Sequence, residues 1–318
     1  MITTETNSVF PLSSVKPLDS LTEYRQFCVE KTKEAFRNKT IERVSPVNGK
    51  PLSFLGEIDG LSYGMCEETQ GYFLTKMPSM EQWQKLLNEV NQKRFSPKGF
   101  HAEVDSTRME NVYRPKLDWV QNTLRIVGIS KPKLLEVTVL PSRLTSLLKS
   151  SGVFSEVITV DETDISQGKS SVDQVDVAIL FESLDRAWDP ISLMKFVKKS
   201  VKKGGLIFVT GLVSSGYDMT VLGTKNMYLY PPDRANCFSR QGMQIFLKNN
   251  EFELIESSTP GVLDIEIVLA HLNHGINVPL SAFDKSILFG DISVRSDFQT
   301  FLQKAGLSSF LRIVGRNK

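Results

Sequence analysis

From Lys133 onward the chain alternates short apolar runs with amphipathic stretches, and this rhythm limits the fold more than any other feature. "KLLEVTV", "SEVITVD", "VDVAILF", "GGLIFVTG" and "FELIESSTP" read as strands. "SRLTSLLKSSG", "PISLMKFVKKSVKK" and "SRQGMQIFLKNN" between them read as helices. Continuous apolar strands separated by helices require a mostly parallel sheet covered on both faces. The expected class is therefore α/β, doubly wound and Rossmann-like.

The text before this region is different. Residues 1–22 are rich in Ser, Thr and Pro and read as a flexible arm. Residues 23–104 read as a small α+β module: a helix at "EYRQFCVEKTKEAF", short Gly-punctuated strands from Ile41 to Met77, and a helix at "SMEQWQKLLNEVNQ". Ser79 is its N-cap, with Trp83, Leu86, Leu87 and Val90 on one face. Residues 105–318 form the larger domain with a C-terminal extension, opening on a helix at "RPKLDWVQNTLRIVGI" whose stripe is Leu117, Val120, Leu124 and Ile126.

Charge and cysteine content exclude several functions. A net charge of +2 on 318 residues supplies no nucleic-acid stripe. The longest apolar run is far too short to span a bilayer, and the N-terminus does not read as a signal peptide. Cys28, Cys66 and Cys237 include no CxxC pair, which fits a reducing cytoplasm. No GxSxG, HExxH or P-loop pattern occurs. His271 and His274 in "HLNH" have a metal-like spacing without a third ligand nearby, so a structural role is expected.

In a doubly wound sheet the loop after the first strand meets the ligand, here "LLEVTVLPSRL" (Leu134–Leu144). Glu136, Thr138 and Leu140 of this stretch, Asp161 ending the second strand and Glu182 after the "VDVAILF" strand are the candidate nucleoside-binding residues. For Asp161 and Glu182 the bland alternatives are a strand-end cap and a solvated loop carboxylate. Trp188 and Asp176 are expected to be structural, and Lys195, Lys198, Lys199 and Lys202 to form a solvated face.

These segments carry a resemblance. "FESLDRAWDP", "VKKGGLIFVTGL", "YPPDRANCFSRQGM" and the C-terminal "FQTFLQKAGLSSFLRIVGRNK" resemble, in order, motifs of the class I S-adenosylmethionine-dependent methyltransferases. The match is closest to bacterial members of sugar and surface-polysaccharide pathways. The resemblance implies a seven-stranded-type sheet and S-adenosylmethionine as the cofactor, if one binds. Set over the family's "LLEIGCGSGRL", however, the three glycines fall on Thr138, Leu140 and Ser142, with Pro141 inserted. Family histidines are replaced by Arg186, Arg234 and Phe310, although Asn236 survives. Relatives often begin with a zinc ribbon. Here "SPVNG" (Ser45–Gly49) and "CEET" (Cys66–Thr69) stand at its two cysteine pairs, so no zinc is expected, and Leu52, Phe54, Leu55, Tyr72 and Phe73 are expected to hold the module.

The expectation is a methyltransferase-fold protein with eroded motifs: a non-catalytic or accessory member of a sugar or surface-glycan pathway. Its partner would be an active methyltransferase, another pathway enzyme or a sugar-nucleotide-like ligand. The alternative is an active methyltransferase with a glycine-free cofactor loop, acting on a nucleotide-linked sugar or a related small molecule. A third reading places another nucleotide in the same cleft.

Overall fold

The computed structural model describes residues 11–97, 99, 101–102, 104–140, 142–166 and 168–318. Pro141 and residues 1–10 of the expected arm lie outside the described residues. The remainder of that arm is anchored. Leu12 and Val15 are buried, and helix α1 (Leu18–Ala35) already starts at Leu18, burying Leu21, Tyr24 and Cys28. Apolar side chains decide this over the polar composition.

The first part continues with β1 (Ile41–Glu42), β2 (Ser53–Ile58), β3 (Leu61–Met65), β4 (Tyr72–Leu74) and β5 (Lys76–Met77). Helix α2 (Met80–Arg94) carries a complete capping box between Ser79 and Gln82 and buries Trp83, Leu86, Leu87 and Val90. Next, α3 (Asp105–Arg108) passes through one π turn into α4 (Arg114–Ile126). The predicted stripe of α4 needs one correction: Ile126 is 58% exposed and Trp119 takes the inward place. Phe54 likewise leaves the expected module core. It is 73% exposed beside a register shift in the β2–β3 hairpin, while the expected Phe73 is buried and is joined by Tyr63 and Leu74.

The larger part is built of β6 (Lys133–Thr138), α5 (Arg143–Ser150), β7 (Glu156–Asp161), α6 (Glu162–Ser166), β8 (Val175–Phe181), α7 (Ser183–Arg186), α8 (Pro190–Ser200) and β9 (Val201–Leu212). Then come α9 (Tyr217–Leu222), β10 (Asn236–Cys237), α10 (Arg240–Asn249), β11 (Phe252–Ser258), α11 (Asp264–Asn273), α12 (Ala282–Leu288), α13 (Ile292–Ala305) and β12 (Phe310–Asn317). Gly152, just past α5, adopts φ +69°, the left-handed conformation that ends a helix.

The main sheet has the order β11-β12-β9-β8-β6-β7. Strands β7, β6, β8 and β9 are parallel, while β12 is antiparallel to both neighbours. Among the described residues this gives six strands, not the seven-stranded type expected. Only the one-turn α6 and an irregular stretch join β7 to β8, which leaves no room for another strand and its crossover.

The boundary near residue 105 divides the sequence more than the packing. Strand β10, from the larger part, completes the small sheet β10-β4-β3-β2. One core joins Leu21 and Trp83 to Leu212 and Ile265; another joins Val47, Cys66 and Phe73 to Phe238 and Met243. No helix among the described residues is long and apolar enough to cross a membrane.

Candidate functional site

The chain runs from β6 outward to β7, then returns to β8 on the other side of β6, so the topological switch lies between β6 and β8. A cavity of about 280 Å³ opens at their carboxyl ends. Val137 and Thr138 of β6, Phe181 and Glu182 at β8, Leu212 of β9 and residues of α2 contribute to its wall.

Of the five candidate residues, Glu136, Thr138 and Glu182 line this cavity, and Leu140 and Asp161 do not. Glu136 is 2% exposed and accepts hydrogen bonds from the hydroxyls of Ser142 (2.9 Å), Thr145 (2.6 Å) and Thr159 (3.1 Å). Burial pushes its carboxyl above the usual range although these hydroxyls pull it back. Asp161 Oδ2 accepts the Leu140 N–H at 3.1 Å, and its Oδ1 accepts the Thr163 N–H at 2.9 Å. The loop side chain of Leu140 is itself exposed. Val139 O accepts from Asn91 Nδ2 of α2 at 3.3 Å. The loop after β6 is therefore sewn to the acid of β7 and to α2, using the groups that would greet a nucleoside.

Glu182 is bound differently. It sits in the left-handed region, at φ 63°, just after β8. Its two oxygens accept from Lys116 Nζ (3.1 Å) and from the Arg234 guanidinium (3.0 Å). Burial would raise its carboxyl, but these cations and Arg186 hold it well below the usual carboxylate range. Arg234 also approaches Asp185 at 3.4 Å. Desolvation pushes the fully buried Asp185 up to about 7; the Arg234 guanidinium pulls it back and the nearby Glu182 charge adds to the rise. Arg94 of α2 pairs with Asp233, both nearly buried.

The residues expected to be structural prove so. Trp188 Nε1 donates to Pro78 O at 2.9 Å, and Asp176 accepts from the Lys133 N–H and from Lys202. His271 donates through Nδ1 to Ile267 O and accepts the Met227 N–H at Nε2, which fixes a neutral ring. Asn236 donates to Leu184 O and Ala187 O, both at 2.8 Å. In the module, Ser45 and Thr69 border Cys66. Burial would raise that thiol, but their hydroxyls and the neighbouring amides hold it below its ordinary value. Among the described residues no group of three or more His, Cys, Asp or Glu converges as a metal site.

The sequence reading missed the basic character of the cavity. Lys16, Arg94, Arg108, Lys116, Arg143 and Arg312 line it together with Arg186 and Arg234. They are scattered from one end of the chain to the other, so a near-neutral total hid them. The only sign was local: Arg186, Arg234 and Phe310, three departures from the resembled motifs, all face this cavity.

No family model and no curated protein matches the chain. Among solved structures, it is similar to a SAM-dependent methyltransferase from Thermotoga maritima at 13% identity, over 73% of this chain and 100% of that one, with a TM-score of 0.40. Coclaurine N-methyltransferase gives 12% identity, 74% and 81% coverage and a TM-score of 0.36. The [4+2]-cyclase SpnF gives 15% identity, 63% and 80% coverage and a TM-score of 0.37. Likenesses of this depth assign neither family nor activity.

Proposed function

We propose that this chain is a methyltransferase-like protein whose S-adenosylmethionine site is closed and which serves as a non-catalytic, accessory member of a sugar or surface-glycan pathway. The carrying observation is the bond from the Leu140 N–H to Asp161. A ribose needs that carboxylate free, and a methionine tail needs the loop amides pointing outward. Here each satisfies the other. Thr138 and Leu140 carry side chains where glycine would let a ligand approach the backbone. The pathway assignment rests on the sequence resemblance.

Isothermal titration calorimetry with S-adenosylmethionine and S-adenosylhomocysteine tests the reading. Flat titrations of folded protein are expected. Saturation in the micromolar range, about −8 kcal/mol, would overturn it.

A second reading, an active methyltransferase on a nucleotide-linked sugar, draws support from the cavity that persists beside β6 and β8. Positioning alone accelerates methyl transfer to a good nucleophile. Methyl incorporation abolished by Asp161→Ala would establish it.

A further inference from the structure

We propose that the cavity holds a small organic molecule bearing a phosphate group, seated among Lys16, Arg108 and Arg312. The proposal deepens the reading of a methyltransferase-like fold with a closed cofactor site by naming the class of ligand that occupies the rest of the cleft.

The charge balance of the wall is the starting point. Among the described residues, eight lysines and arginines line the cavity against four carboxylates. Five of these cations have carboxylate partners: Arg94 with Asp233, Lys116 and Arg234 with Glu182, Arg186 with Glu162, and Arg143 with Asp105. Lys16, Arg108 and Arg312 have no carboxylate within 4.0 Å among the described residues.

Their own contacts leave donors over. Lys16 Nζ lies 4.2 Å from the centre of the Tyr228 ring. Arg108 donates one bond to Val15 O at 2.8 Å and rests over Tyr113, with its buried Nε–H unpartnered among the described residues. Arg312 is only 5% exposed. It reaches Pro115 O at 3.5 Å and lies over Trp119 and Phe310, and its Nε–H also has no partner among the described residues. Glu256 and Asp118 act on Arg312 only from beyond 4.0 Å, and a buried guanidinium without a full set of acceptors is costly, a cost that a ligand anion in the cavity would relieve.

The cations also sense one another. Burial is the main reason Lys16 is lowered to about 8; Asp218 and Glu182 pull it back up, while Arg234 and Arg108 push it further down. Burial likewise lowers Lys116 against the pull of its partner Glu182, with smaller pushes in the same direction from Arg108 and Arg312. Like charges held together in a cleft lower one another in this way, and an anion placed among them relieves the repulsion.

Tetrahedral oxoanions suit this arrangement. Two guanidinium forks and one ammonium offer donors from several directions, and a phosphate has oxygens to meet them all. The aromatic rings of Tyr228 and Phe310 and the apolar Val139 and Phe181 give the remaining wall a surface for an organic body. Free phosphate would leave that surface uncovered.

Calorimetric titration of the full chain with uridine diphosphate, uridine, pyrophosphate and S-adenosylhomocysteine tests the proposal. Uridine diphosphate should saturate, uridine should not, and pyrophosphate should bind more weakly than the nucleotide. Arg312→Gln and Lys16→Gln should each weaken the nucleotide at least tenfold while circular dichroism stays unchanged. Lys16 lies on a half-buried segment, so its variant still decides the matter if the Arg312 variant does not fold. Flat titrations with both uridine diphosphate and pyrophosphate would overturn the proposal, as would unchanged affinity in both variants. Pyrophosphate binding as tightly as the nucleotide would assign the site to an inorganic anion and overturn the organic part. S-adenosylhomocysteine separates the two readings. Its saturation with uridine diphosphate also bound would overturn the closed cofactor site alone. Flat titrations with all four would overturn the phosphate proposal alone.

Discussion

Asp161 accepts hydrogen bonds from the Leu140 N–H and from both the amide and hydroxyl of Thr163, and these hold the glycine-free loop in place. Asp161→Ala removes the acceptor for all three. It should cost about 1–3 kcal/mol, read as a shift of the urea midpoint at constant m-value. A change indistinguishable from zero would mean that the loop holds itself. Asp185 has a larger effect on pH dependence. Its folded-state pKa of about 7 lies above the unfolded value near 4, so between these the native state binds the extra proton. Stability therefore falls as pH rises from about 4 to about 7. Glu162 and Asp218, also pushed up to about 7 by burial, act in the same sense. Asp233 and Glu182 are depressed and act oppositely, losing their contribution only as pH drops below about 4. The urea midpoint should thus be higher at pH 5.5 than at pH 8, and Asp185→Asn should shrink that difference. An equal difference in the variant would remove Asp185 from the account.

Elements show where residue patterns were sufficient and where neighbours decided. The N-cap of α2 was legible at Ser79 because a cap is a local device; the structure adds Gln82, whose N–H the Ser79 hydroxyl accepts and whose side chain accepts the Ser79 N–H. Ser79→Ala should cost about 1 kcal/mol by chemical denaturation, and Ser79→Asp should restore most of it. The stripe of α4 was less legible. Ile126 and Trp119 both fit helical spacing, and only the sheet beneath, where Trp119 meets Phe208 and Glu256, selects the tryptophan. Gly211 on β9 shows a third case. A Cβ there would stand 2.6 Å from Asp185 Oδ1, a contact that no periodicity reveals. Gly211→Ala should cost about 1–3 kcal/mol through overpacking.

At the scale of the molecule the two parts should unfold together. The small sheet borrows β10 from the larger part, and both apolar cores cross the boundary near residue 105. Far-UV circular dichroism and fluorescence of Trp83, Trp119 and Trp188 should therefore report one coincident urea transition. Two separated transitions would show a module stable on its own. The strand-helix alternation after Lys133 was enough to determine the mostly parallel sheet and the strand ends at which the cavity lined by Glu136, Thr138 and Glu182 opens, because periodicity encodes which faces are buried. Only the tertiary structure decided that Asp161 turns to the loop, that the sheet has six strands among the described residues, and that cations from distant segments share one cavity. Hydrogen-bond partners and the summed field of a cleft depend on distances through space. Neighbours in the chain do not record those distances.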